Sequence, residues 1–207
     1  MPRETILIGY SGHAYVAYDA LLSGGYSVRS YTEREEKSTN PFHLHYLGNE
    51  SDAAVCEKIK PHDYFIAIGD NTIRAKVFET LTSQLGQKPI NAMHMKAIVA
   101  STAQYARGIL FAAGCIVNPF AKIGNGVICN SGSIIEHECV VNDFVHIAPG
   151  ATLCGNVMVG ENTFVGANSV VREGIKIGKN VIIGAGTVVN KNVPDNVKIV
   201  GNPFRIL

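Results

Sequence analysis

Residues 121–160, AKIGNGVICNSGSIIEHECVVNDFVHIAPGATLCGNVMVG, repeat a pattern every six positions. Ile123, Cys129, Ile135, Val141, Ile147, Leu153 and Val159 fall on one frame. That frame continues without insertion through Val165, Val171, Ile177, Ile183 and Val189. Backward it passes Val117, Phe111, Tyr105 and Val99, with bulkier side chains at its start. Two residues before each step runs a second column of small or β-branched residues, from Ala121 and Val127 to Val181 and Thr187. A helical period of 3.6 cannot produce such a pattern, but short strands separated by turns can, and a fixed short period marks a solenoid. The reading is a parallel β-helix in which each aliphatic points into the shaft. The Gly or Asn that often follows it (Gly124, Asn130, Asn142, Gly160, Gly166, Gly178, Gly184, Asn190) is expected to take backbone angles that a Cβ disfavours. A β-sandwich would not hold so constant a turn spacing.

The remainder of the 207 residues suffices for a second, smaller domain with its own core. A net charge of +1 gives no electrostatic footprint for nucleic acid or an anionic membrane. The five cysteines (Cys56, Cys115, Cys129, Cys139, Cys154) lack metal-like pair spacing, and three lie in or beside the hexad columns as small apolar filler. No run reaches membrane-span length, and the first residues lead into Ile6-Leu7-Ile8 without the apolar stretch of a signal peptide. A soluble, cytoplasmic protein is expected.

Outside the repeat, residues 5–10 read as a strand ending in Gly9-Tyr10-Ser11-Gly12-His13, with a helix from Ala14 to Leu22. Tyr26–Tyr31 and a segment near His43–Leu47 read as further strands, and Asp52–Ile59 as a helix. Tyr64-Phe65-Ile66-Ala67-Ile68-Gly69-Asp70-Asn71 then repeats the opening pattern before a helix from Thr72 to Leu85, and a last strand is expected at Lys88–Ala92. Strand, glycine turn, helix is the opening of a nucleotide-binding α/β unit, where backbone N–H groups and a helix N-terminus face an anion, although Gly-x-x-Gly is not the full dinucleotide fingerprint and a turn required only by packing would look the same. The expected layout is a small Rossmann-like parallel sheet over 1–95 and a parallel β-helix with a C-terminal cap over 96–207. Two such strand ends in one small sheet belong at its carboxyl edge, where open α/β sheets bind ligands, which points to a nucleotide or sugar-phosphate site.

One hexad, Ile135-Glu136-His137-Glu138-Cys139-Val140, concentrates polar chemistry. A His beside carboxylates is a candidate general base, although a solvated turn would look the same. With three hexads per coil, residues eighteen apart stack, so Gly155 lies one coil above His137. Asn130 and His146 then fall on other faces than His137. A closed trimer would let His137 of one shaft meet Asn130 or His146 of the next.

With these motifs in view the chain resembles the hexapeptide-repeat acetyltransferases that modify nucleotide-activated amino sugars in bacterial glycan synthesis. It is most similar to bacillosamine-pathway N-acetyltransferases of UDP-4-amino-4,6-dideoxy sugars, grouped with sialic-acid O-acetyltransferases. Gly9 to His13, Phe65 to Asn71 and Ile135 to Val140 carry the likeness. The resemblance implies a left-handed β-helix, a homotrimer, acetyl-CoA as donor without a metal, His137 as the base and Glu138 as its polarising partner. It also implies Asn130 and His146 in the acceptor pocket, the Gly155 N–H at the oxyanion, Ala167 and Ala185 against the pantetheine arm, and Ser11, Gly12 and His13 with Gly69, Asp70 and Asn71 holding the nucleotide phosphates and sugar. The related enzymes tend to carry acidic residues after the second strand that read the base; here Thr32-Glu33 stands there, which leaves the choice of nucleotide open. Two other readings compete, an O-acetyltransferase of a sugar hydroxyl and a zinc lyase of the γ-carbonic anhydrase kind. The lyase would need a third shaft His, and none follows His146. A non-catalytic scaffold would have no need of two glycine turns.

Overall fold

A computed structural model describes residues 4–207. Residues 1–3, part of the stretch in which no signal peptide is read, lie outside it. Near the N-terminus β1 (Glu4–Ile8), α1 (Gly12–Ser23), β2 (Ser27–Thr32), β3 (His45–Tyr46), α2 (Ala53–Ile59), β4 (Asp63–Ile66) and α3 (Asn71–Leu85) follow in order. The four strands are parallel, in the order β3-β2-β1-β4. β1 is covered on both faces, which is why Ile6, Leu7 and Ile8 can be apolar in succession. The strand expected at Lys88–Ala92 does not join this sheet. Ile90 donates a single hydrogen bond to the Tyr64 carbonyl, and β5 (Ala92–Met93) pairs instead with Leu110–Phe111 in the shaft.

From β5 onward two-residue strands stack in three parallel sheets, forming the left-handed β-helix. Ile128 lies opposite His146, His146 opposite Phe164 and Phe164 opposite Ile182, so one coil takes eighteen residues. Cys129, Ile135, Ile147, Leu153, Val165, Ile183 and Val189 are fully buried in one continuous core. Each such side chain contributes about 1.5–3 kcal/mol relative to exposure. Tyr105 is on the frame but half exposed, because the shaft has barely closed there. At the other end Val193 bridges to Ile177, Lys198–Val200 pairs with Ile182–Ile183, and Arg205–Ile206 folds back antiparallel, burying Phe204 over the last coil.

The glycines behave differently from expectation. Gly124, Gly160, Gly166, Gly178 and Gly184 do not have positive φ. They are required by close approach: a Cβ on Gly160 would lie 2.5 Å from the carbonyl carbon of Gly178 in the next coil. The left-handed residue comes two positions later, and from Gly108 to Gly186 every sixth residue has positive φ. Eleven of these are Gly or Asn, the residues that tolerate the conformation. The exceptions are Phe120 (φ 64°), Glu138 (φ 59°) and Phe144 (φ 57°).

The two parts share a tight junction. Ala17, Ala20 and Leu21 of α1 are buried with Leu110, Ala112 and Ile128 on one face of the shaft. Phe78 of α3 meets Phe144 edge-on, with ring centroids 5.4 Å apart. Gly126 leaves room for that ring, since a Cβ there would sit 2.6 Å from Phe144 Cδ1. Beside this contact Arg74 is almost completely buried and uses all five of its N–H donors. Nε donates to the Gly126 carbonyl, Nη1 to those of Ile68 and Gly69, and Nη2 to the Phe144 carbonyl and Asn71 Oδ1. Asn71 Nδ2 in turn donates to the carbonyls of Asn162 and Thr163. Arg74 and Asn71 therefore grip one corner of three successive coils, at positions 126, 144 and 162.

Candidate functional site

His137 lies at the corner between two shaft faces, its side chain 58% exposed and that of Glu138 65% exposed. Its Nδ1 stands 3.2 Å from Glu138 Oε2. A carboxylate can only accept, so this hydrogen bond takes a proton on Nδ1 and directs the lone pair of a neutral ring to Nε2. One coil on, Gly155 lies against the imidazole: a Cβ there would be 2.6 Å from Cε1 and 2.7 Å from Nε2 of His137. The ladder between coils takes the N–H of Cys154 to Val171 and that of Asn156 to His137, passing over the Gly155 N–H. The same omission recurs at the neighbouring corner, where Gly166, Asn168, Gly184 and Gly186 donate to adjacent coils while Ala167 and Ala185 do not. These three small residues leave their N–H groups without a backbone acceptor.

The second polar cluster lies at the junction. Asn130 Nδ2 is 3.1 Å from His146 Nε2, and both residues are buried. The His146 ring faces that of His13 at a centroid distance of 6.0 Å and meets Phe164 edge-on at 5.0 Å. His13 Nε2 and His146 Nδ1 are buried without a hydrogen-bond partner. Burial first, and then the Arg74 charge, hold the His13 imidazolium down to about 4 and that of His146 to about 3, so both rings are neutral at pH 7. Burial likewise lowers Arg74 to about 9.

Next to this cluster a cavity of about 710 Å³ opens at the carboxyl ends of β1, β2 and β4, lined by Gly9, Ser11, Glu33, Gly69, Asp70 and Lys76 among others. Ser11 begins α1 with extended backbone and makes no capping bond through its side chain, which leaves its hydroxyl free. Asp70, by contrast, caps α3, its Oδ1 accepting from the Ile73 N–H at 2.8 Å. Glu33 accepts from the N–H groups of Tyr10 and Arg34 and pairs with Lys37 at 3.5 Å. Burial alone would raise its carboxyl, but the Arg34 and Tyr10 N–H groups and the Lys37 charge outweigh it and keep it below the usual range.

The residues singled out in the sequence thus separate into distinct places. Ser11, Gly69 and Asp70 line the cavity, half-buried His13 joins buried Asn130 and His146 in the junction cluster, and Asn71 is turned to the shaft. His137, Glu138 and Gly155 occupy a different corner from Asn130. Arg74 went unremarked in the sequence, although it takes the first place of an otherwise apolar stripe with Phe78, Leu81 and Leu85 on α3. Among the described residues no three His, Cys, Asp or Glu side chains converge as a metal site. No helix among them is long and apolar enough to cross a membrane.

Residues 4–81 match the PglD N-terminal domain family, and residues 156–191 match the bacterial transferase hexapeptide family of six repeats. The chain is similar over nearly its whole length to two solved acetyltransferases. PerB from Caulobacter crescentus, in complex with CoA and GDP-perosamine, superposes with a TM-score of 0.91 at 29% identity, covering 99% of this chain and 97% of that one. The acetyltransferase domain of PglB from Neisseria gonorrhoeae, in complex with acetyl coenzyme A, gives 0.93 at 27% identity, with full coverage of both. The fold is that of the hexapeptide-repeat nucleotide-sugar N-acetyltransferases. WeeI from Acinetobacter baumannii shares the fold as well, with a TM-score of 0.79 at 23% identity.

Proposed function

We propose that this protein transfers the acetyl group of acetyl-CoA to the amino group of a nucleotide-activated amino sugar, a UDP-, GDP- or TDP-linked 4-amino-4,6-dideoxy hexose. The observation that carries this reading is the exposed His137–Glu138 pair, with Nε2 free and side-chain-less Gly155 beside it, in one chain with a nucleotide-sized cavity. The similarity to acetyltransferases bound to CoA, acetyl coenzyme A and GDP-perosamine supports it.

In this mechanism the sugar amine attacks the thioester carbonyl carbon, and the carbonyl electron pair moves onto oxygen. The Gly155 N–H stabilises that oxyanion. His137 Nε2 takes the proton from the attacking nitrogen while Nδ1–H stays hydrogen-bonded to Glu138. Collapse of the tetrahedral intermediate breaks the carbon–sulfur bond, and the proton on His137 passes to the leaving thiolate, giving CoA and the acetamido sugar. Ala167 and Ala185 flank the pantetheine, and the α/β unit holds the nucleotide through Ser11, Gly12 and Gly69. Its sheet and helices are read as one domain over 1–95, with the shaft over 96–207.

A trimer completes the site in this reading. One shaft face carries an outward row of Ile98, Ile116, Ile134, Thr152, Val170 and Val188, with Ile98 and Val170 well exposed. This row runs between the corner of Asn130 and the corner of His137. Closing three shafts around an axis covers it and brings His137 of one subunit towards the junction of its neighbour. The place of action is the cytoplasm, where acetyl-CoA and nucleotide sugars are made.

The test incubates the purified protein with acetyl-CoA and a panel of UDP-, GDP- and TDP-4-amino sugars, following free thiol and product mass. An N-acetylated sugar nucleotide is expected. Thiol release with no acetylated amine, or acetylation of a hydroxyl instead, would overturn the reading. Sedimentation at assay concentration should give a trimer, and a fully active monomer would refute the shared site.

A further inference from the structure

Three residues break the rule that the left-handed position of each hexad is Gly or Asn, and two of them have visible duties. Phe144 fills the junction against Phe78. Glu138 holds His137 Nδ1. The third, Phe120, has φ 64° and yet buries little, being 62% exposed. A bulky L side chain in that conformation is disfavoured, and an exposed one recovers no core packing for it.

Its position is specific. Phe120 lies one coil before Glu138, and the preceding Pro119 carbonyl accepts the Glu138 N–H at 3.1 Å. Along that corner the order is Pro119-Phe120, then His137-Glu138, then Gly155-Asn156. In the proposed mechanism Gly155, Ala167 and Ala185 place the acyl donor on the C-terminal side of His137. The N-terminal side, where Phe120 stands, is left for the acceptor. In a closed threefold assembly equal heights along the shafts meet, and the junction of the α/β unit with Leu110, Ile128 and His146 spans that height.

We propose that Phe120 is an acceptor-binding residue whose ring packs against the apolar C–H face of the hexose, opposite the donor. This inference rests on the acetyltransferase reading and on the shared site. An aromatic face offers a large, rigid apolar surface at low entropic cost, which orients a sugar without hydrogen-bonding to it. Exposure before the acceptor arrives and retention in an unfavourable conformation both follow.

Phe120→Asn separates this duty from structure, because Asn is what the fold prefers at that position. The melting temperature of the full-length protein should stay level or rise, with sedimentation and CoA affinity unchanged. The kcat/KM for the amino-sugar nucleotide should fall about tenfold or more, mainly through KM, as expected for lost ground-state binding. Phe120→Tyr, which keeps the ring, should remain near wild type. An F120N protein within twofold of wild type, or one whose loss follows dissociation of the oligomer, would overturn the assignment. Wild-type protein that acetylates no amino sugar would sink the underlying reading instead, so the two failures are told apart.

Discussion

The corner of His137 and the junction of His146 each place an imidazole beside a polar partner, but they solve opposite problems. At the corner the ring is open to water, its partner is a carboxylate, and a glycine keeps one face clear. At the junction His146 is 8% exposed and His13 lies close by, with Asn130 and a buried arginine for company, and no carboxylate is hydrogen-bonded to either ring. A ring that must accept and release protons needs solvent contact and an anion to steady its cationic form. A ring held neutral by burial can only accept or donate a hydrogen bond. The contrast teaches which His is equipped to be the base.

The sharpest way to break the contrast is to exchange the rings' fates. His137→Ala should lower turnover by about 10²–10⁴-fold, the usual range for a general base, with CoA affinity little changed. His146→Ala should act on the KM of the acceptor instead. Steady-state kinetics on both variants decides the matter, and a larger kcat loss at His146 would reverse the assignment.

Gly155→Val should come next, at about 10²–10³-fold, the typical loss of one oxyanion donor. Any Cβ there also meets the His137 ring, so the variant displaces the imidazole as well as crowding the proposed thioester position. Nucleotide affinity of the α/β unit, read by calorimetry, should not move. Equal weakening of nucleotide binding would mean that corner and cavity are not separate sites.

The third effect belongs to the junction alone. In the unfolded chain a His titrates near 6.5, whereas folded His13 and His146 are held to about 4 and about 3. Between those limits the unfolded state binds protons that the folded state refuses. Stability therefore falls as pH drops from about 6.5 towards 4, by up to about 1.4 kcal/mol per pH unit for each ring. Urea midpoints at pH 7 and pH 5 should show the loss, and His146→Gln should flatten it. A midpoint unchanged between the two pH values in the wild type would contradict the burial argument.

How much of this was legible in the sequence follows from which forces act locally. The hexad frame fixes the shaft because each coil repeats the same contact, and a skipped residue would turn its aliphatic outward. Eighteen residues per coil also put Gly155 over His137 by counting alone. The meaning of the glycines was not legible, since close approach at Gly160 and positive φ at Gly174 look alike in a string of letters. Arg74 escaped notice for a related reason. Its partners are carbonyls at positions 126 and 144, and a carbonyl leaves no mark in the sequence. The Lys88–Ala92 segment reads as a strand by composition, but the shaft takes up Ala92 and Met93, leaving the α/β sheet with four strands.

The smallest expected effect tests what Glu138 adds to the corner. An ion pair this exposed is screened by water and contributes about 1 kcal/mol or less, which limits the electrostatic part of its role to roughly tenfold or below. Orientation is the other part: Nδ1–H needs an acceptor so that Nε2 points at the amine. Glu138→Gln keeps an acceptor oxygen and removes the charge, whereas Glu138→Ala removes both. Rates should therefore fall in the order wild type, Gln, Ala, with Gln within about tenfold of wild type. Both variants keep the left-handed backbone strain, so their difference reports the side chain alone. If Gln instead lost as much as His137→Ala, the carboxylate would be the group taking the proton, and the corner would owe its chemistry to Glu138 with His137 as its support.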